Sequence, residues 1–254
     1  MDLRKELFKS NSQDLDIRCD SSLTGKWDDW VCRCDEFNEC LKVEKIGQSI
    51  ADDFYKNYLG ASKIERFDYH NPDERFFQEH DMDCSIELEA KSLDIFSLNV
   101  SEKFRQYDTG DMCLELWSNF EEKKVGWAVK GIEENGPDLY LYITPHNIFE
   151  VWCNRYFNKM IGDISSEWTY EKIESLFDSD KHYRKDQNAL YDITVGGHDA
   201  KLLRCWSKAG DREWYGVCIC IPWDTLFNEY LLDINMFDRK YNKLNINKEY
   251  KTCN

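Results

Sequence analysis

Three short segments of this chain carry carboxylates and a lysine at spacings that could assemble a phosphate-cleaving site. Asp83 lies in the first, Ser101-Glu102-Lys103 forms the second, and Glu115 stands in the third between Leu114 and Leu116. A metal-dependent phosphodiesterase needs carboxylates to hold a divalent ion, an activated water in line with the phosphorus, and often a lysine near the water or the charged transition state. In extended chain, residues two apart point the same way. Ser101 and Lys103 therefore share a face with Asn99 and Arg105, whereas Val100, Glu102 and Phe104 share the other. Asp111, Cys113, Glu115 and Trp117 share a face of their segment, as do Asp81, Asp83, Ser85 and Glu87 of theirs. Given a cooperative register, Asp83, Lys103 and Glu115 converge. Glu115 is the most pointed of the three, because a carboxylate in so apolar a stretch costs free energy unless it is paired or bound to metal.

Positioning these residues requires a sheet, and the hydrophobic pattern supplies one. Asp81 to Glu89 alternates polar and apolar residues and reads as a half-buried strand. A second strand is expected from about Ile95 to Arg105 and a third, after Asp108-Thr109-Gly110, from about Asp111 to Trp117, the three forming an antiparallel meander. Ahead of them, Val43, Ile46, Ile50, Ala51, Phe54, Tyr58 and Leu59 recur at three- and four-residue steps with Gly60 as a stop, which predicts an amphipathic helix packed on the sheet. Glu44 and Gln48, one helical turn apart on its flank, could reach the site as accessory groups, although such residues more commonly form a solvated helix edge. Residues 118 to 137 read as a loop, Leu139 to Thr144 as a fourth strand, and Ile148 to Ile161 as a strand end running into a helix. Tyr215 to Pro222 is a late strand, followed by a helix from Trp223 to Leu232. The expected organisation is an N-terminal extension over 1–40, a core over 41–232 and a tail over 233–254.

The wording of these segments adds a resemblance. Asp83-Cys84-Ser85-Ile86, Val100-Ser101-Glu102-Lys103-Phe104-Arg105, Asp111 to Ser118, Gly126-Trp127 and Asp138-Leu139-Tyr140-Leu141-Tyr142 together resemble the PD-(D/E)XK nuclease superfamily, in particular a phage and bacterial group within it. The resemblance covers roughly residues 41 to 232. It implies an α/β fold with a restriction-endonuclease-like mixed central sheet flanked by helices, and cleavage of nucleic acid, DNA before RNA, with Mg²⁺ or Mn²⁺. It implies Asp83 and a second carboxylate as metal ligands and Lys103 as the catalytic lysine; a homodimer is the assembly considered. One position departs from the pattern. Where the superfamily has an acid or glutamine two residues before the lysine, this chain has Ser101, a poor metal ligand. Glu102 replaces it by motif wording if a bulge turns the strand, and Glu115 replaces it by strand geometry. The same departure favours a different class of function, a catalytically inactive nuclease-like binding module of phage or anti-phage systems.

Composition bounds these readings. The chain has 254 residues and a formal charge of −16, which repels a polyanion on average and argues against strong nonspecific DNA binding. No apolar run approaches the roughly 20 residues of a membrane-spanning helix. The charged start Met1 to Glu6 lacks a following apolar stretch, so a cytoplasmic location is expected, with the eleven cysteines mostly reduced and buried. Cys32, Cys34 and Cys40, with Cys19, could hold zinc or an iron–sulfur cluster, but without the C-x₂-C spacing of well-attested sites. Cys218-Ile219-Cys220 reads as core with no second ligand pair nearby. Trp117 and Trp127 could stack on bases, though tryptophan at this density is usually core. His70, His80, His146, His182 and His198 show no ligand spacing and receive no role.

Overall fold

The computed structural model describes residues 37–68, 70–89, 95–105, 109–132, 136–180, 187–209, 211–238 and 243–246. The expectations for Cys19, Cys32, Cys34, His182 and the extension before residue 37 lie outside the described residues. Helix α1 (Phe37–Phe54) continues as a π-turn over Tyr55–Leu59 and ends at Gly60, whose φ of 73° is the left-handed cap conformation. Its apolar stripe, including Ile50, Ala51, Phe54 and Tyr55, packs on Cys84, Ile86, Val100, Leu139, Leu141 and Ile143 of the sheet beneath it. Gly47 sets how closely the helix can lie, since a Cβ there would come within 2.2 Å of the Phe104 ring.

The chain then runs through β1 (Ala61–Arg66), a short helix α2 (Arg75–Glu79), β2 (Cys84–Glu89), β3 (Ile95–Phe104), β4 (Asp111–Asn119) and β5 (Lys124–Val125). A single-turn helix α3 (Trp127–Lys130), β6 (Leu139–Ile143), β7 (Asn147–Trp152), α4 (Arg155–Glu167) and α5 (Tyr170–Ser179) follow. The last part comprises β8 (Ala189–Val195), β9 (His198–Ala209), β10 (Arg212–Pro222), α6 (Trp223–Asn228), β11 (Ile234–Asp238) and β12 (Lys243–Ile246). The fold is mixed α/β with two sheets: seven strands in the order β1-β2-β3-β6-β7-β11-β12, and five in the order β5-β4-β10-β9-β8. No helix among the described residues is long and apolar enough to cross a membrane.

In the seven-stranded sheet the β3–β6 pair is parallel and the other pairs are antiparallel. Asp138 pins its register: its backbone N–H donates to Asn99 O and its carboxylate accepts from Asn99 N, both at 2.8 Å. All five residues of β6 are buried, as expected of a strand covered on both faces. Leu139, Leu141 and Ile143 face α1, whereas Tyr140 and Tyr142 join the larger core with Met112, Leu114 and Leu116 of β4, Val217, Ile219 and Ile221 of β10, and the apolar faces of α4 and α5.

Several expectations are corrected. The three segments from 81 to 117 are not one meander, because β3 gives its second edge to β6 and β4 leaves for the other sheet, where it pairs with β10 and β5. Its alternate residues Met112, Leu114 and Leu116 need that large core. The first strand begins at Cys84 rather than Asp81, since Asp81 adopts a left-handed φ of 58° after α2, with Met82 N donating to Phe77 O. The loop expected over 118–137 contains β5 and α3, and the helix after Pro222 stops at Asn228. The core does not end at residue 232: β11 pairs with β7 and buries Ile234, Asn235, Met236 and Phe237. Cys218 and Cys220 are core residues, but β4 places Cys113 beside them and β9 places Cys205 there.

Candidate active site

The acids and the lysine meet where the beginning of β2, the end of β3 and the middle of β4 come together. Asp83 is fixed before β2 by its own backbone, its N–H donating to Val100 O at 2.9 Å and its carbonyl accepting from Phe67 N at 3.1 Å. Its carboxylate accepts from Glu102 N at 2.6 Å and from Ser101 Oγ at 3.4 Å. The same Ser101 hydroxyl lies 2.9 Å from Asp81 Oδ2, so one buried side chain reaches two carboxylates. Lys103 Nζ stands 3.0 Å from Asp81 Oδ1, under the Trp127 ring at 5.0 Å from its centroid.

Glu115 enters from the second sheet. Its Oε2 accepts from Trp127 N at 3.3 Å, an approach that Gly126 permits, because a Cβ at that position would fall 2.3 Å from Glu115 O. Together Asp81, Asp83, Glu115, Ser118, Val125, Trp127 and Lys130 line an open cleft of about 280 Å³. Lys103 lies just behind that lining with 17% of its side chain exposed.

The charges are coupled. Burial raises the Asp81 carboxyl above its ordinary value, with Lys103 opposing and Asp83 adding to the rise. Burial likewise raises Glu115, against the Trp127 N–H and the Lys103 ammonium, while Asp81 repels it. Burial works against the Lys103 charge, yet Asp81 and Asp83 outweigh it and its pKa is raised. Lys103 is therefore an ammonium at neutral pH, while Asp81 and Glu115 hold their protons more tightly than usual.

The structure thus brings Asp83, Lys103, Glu115 and Ser101 together, and adds Asp81, which the sequence placed on the right face without assigning it a role. Glu102 does not belong to this set, and its assignment as a metal ligand is corrected. Strand β3 keeps a regular register with β2 up to Val100 and with β6 through Phe104, so Glu102 points to the α1 side. There it is 6% exposed, paired with Arg66 at 2.9 Å and hydrogen-bonded by Tyr55 Oη at 2.8 Å. Arg66 also binds Asp52 and the Gln48 carbonyl. Gln48 donates to Glu44 at 3.1 Å. Glu44 is raised by burial first and by the Asp83 charge second, so the charge of the site reaches it although it is outside the cleft lining. Trp127 walls the cleft, while Trp117 packs in the large core against Phe120 and Tyr170.

The donors suit a hard cation. Asp81, Asp83 and Glu115 offer only oxygen, the ligand type of Mg²⁺ and Mn²⁺. Among the described residues no three His, Cys, Asp or Glu side chains form a ready-made cage, and Mg²⁺ requires none, being held commonly by one or two carboxylates with waters and substrate phosphate. Compared with protein-family models, with curated proteins and with solved structures, the chain gives no significant match.

Proposed function

We propose that the chain is a divalent-metal-dependent nuclease acting on DNA, with a restriction-endonuclease-like core. The observation that carries this reading is the convergence of Asp81, Asp83, Lys103 and Glu115 from three separate strand segments on one cleft. Asp83 with Asp81 would hold Mg²⁺, and Glu115 faces them across the cleft. The bound ion would polarise a phosphoryl oxygen and lower the pKa of a coordinated water. Lys103, kept charged by Asp81, supplies positive charge to the phosphate oxygens as they gain charge in the transition state. Lys130 on the lining meets a neighbouring phosphate, and Trp127 shields the lysine from bulk water on one side.

A second reading rests on Ser101. With its hydroxyl spanning Asp81 and Asp83 where the superfamily pattern has a metal ligand, and with a chain charge of −16, the same cleft suits an inactive module that binds a basic partner. Labelled single- and double-stranded DNA and RNA, incubated with Mg²⁺ or Mn²⁺, separate the two. Wild-type protein is expected to cut DNA, with Lys103→Met and Asp83→Asn each lowering the rate by about 10²–10³-fold. If the wild type cuts nothing and calorimetry detects no metal binding, the nuclease reading fails and the binding module takes its place.

A further inference from the structure

Four cysteines share one face of the five-stranded sheet. Cys113 in β4 and Cys220 in β10 are directly opposed in the antiparallel register, and their sulfurs lie 3.1 Å apart. Cys218 alternates onto the same face as Cys220, and Cys205 in β9 packs on the cluster with Leu203. Opposed residues of an antiparallel ladder have Cα atoms about 4.5 or 5.5 Å apart, and disulfides span about 4.4–6.8 Å. The Cys113–Cys220 pair meets that requirement without backbone movement. Cys218 is opposed by Glu115 on one side and Leu203 on the other, and Cys205 by Gly216, so neither has a cysteine directly across from it.

We propose that Cys113 and Cys220 form an oxidisable cross-strand dithiol, a modification site whose co-reactant is a peroxide. One thiolate attacks a peroxide oxygen and breaks the O–O bond, which leaves a sulfenic acid and a hydroxide that takes up the thiol proton. The second sulfur displaces the sulfenic oxygen as water and closes the S–S bond. The two thiols are oxidised, hydrogen peroxide is reduced to water, and a dithiol reductant reverses the link. Exposures of 3% at Cys113 and 6% at Cys220 favour a small oxidant over a bulky disulfide. A tetrahedral zinc site is the competing use of four thiols, but its ligands must surround the ion, and three adjacent strands present these sulfurs from one side.

The test uses the full chain, reduced, freed of reductant, treated with hydrogen peroxide and quenched with N-ethylmaleimide in denaturant before digestion and mass spectrometry. The expected product is a peptide pair joined through Cys113 and Cys220, lighter by two hydrogen atoms and separated by dithiothreitol. Cys205→Ser and Cys218→Ser should keep that link, and Cys220→Ser should lose it and accumulate sulfinic or sulfonic acid on Cys113. No linked pair at peroxide levels that oxidise methionine, or a dominant link through Cys218 or Cys205, would overturn the proposal. So would zinc or iron retained in stoichiometric amount by the wild type and lost in Cys113→Ser. The wild-type map alone decides the matter if a variant fails to fold.

Discussion

At the scale of single residues, strand alternation was enough to separate Lys103 from Glu102, and their environments differ accordingly. Glu102→Ala should destabilise the protein by roughly 1–3 kcal/mol, since it removes one of the two carboxylates that hold Arg66 and leaves the buried Tyr55 hydroxyl without its acceptor. Glu102→Gln, which keeps an oxygen for Tyr55, should cost less and leave cleavage within a few-fold of wild type. Denaturant unfolding and the cleavage assay read the two effects separately, and complete loss of activity in a folded Glu102→Gln protein would return Glu102 to the chemistry. A pH dependence follows from Asp81 and Glu115, both raised by burial. In the metal-free protein their raised folded pKa values mean that their contribution to stability is full below the unfolded value, about 4, and shrinks as pH rises through the folded value. Metal binding runs the other way, because it needs the carboxylates ionised. Mg²⁺ affinity should fall on acidification at a pH above the ordinary carboxylate range, with no alkaline limb from Lys103 below about pH 10.5. Calorimetry across a pH series checks this, and an acid limb at or below pH 4 would contradict it. Alternation places Asp81 on the Asp83 face but does not encode the left-handed turn after α2 that sets its carboxylate against Lys103.

At the scale of elements, local pattern was legible and partnership was not. The helix over 41–59, the strand at 95–105, the buried strand at 139–144 and the strand-to-helix step after 147 follow from periodicity, and the structure contains each. The pairing of β3 with β6 instead of β4 depends on which faces must be buried twice, which a single segment does not reveal. Between residues 162 and 214 charged outward residues dilute the apolar period, so α5, β8 and β9 are not legible from it. Gly126 marks an element boundary whose worth can be measured. A methyl group there would meet the Glu115 backbone, so Gly126→Ala should lower stability by about 1–3 kcal/mol. It should also weaken metal binding by displacing the Trp127 N–H from the Glu115 carboxylate. A melting curve and a Mg²⁺ titration equal to those of the wild type would show that α3 does not position Glu115.

At the scale of the whole molecule, the two sheets are interleaved in sequence, so neither can be removed as a block. Ending the chain at residue 232, where the hydrophobic pattern fades, would take β11 from the flank of β7 and leave Glu150 without the 2.7 Å hydrogen bond from Asn235. Such a truncation should not unfold cooperatively and should bind a hydrophobic dye, whereas a sharp thermal transition would place the boundary back at 232. The sequence marks that edge too early because Asp233 and the polar residues after Asp238 flank only one short apolar run. The pairing of β4 with β10 carries a consequence for synthesis. Cys113 and Cys220 are 107 residues apart, which at about 5–20 residues per second corresponds to roughly 5–20 s of elongation. Throughout that interval β4 is already made, and the hydrogen-bonding edge that β10 will take is open. The nascent chain therefore passes through a long sticky stage before its second sheet can close, and supplying a holding chaperone should raise the fraction that emerges folded.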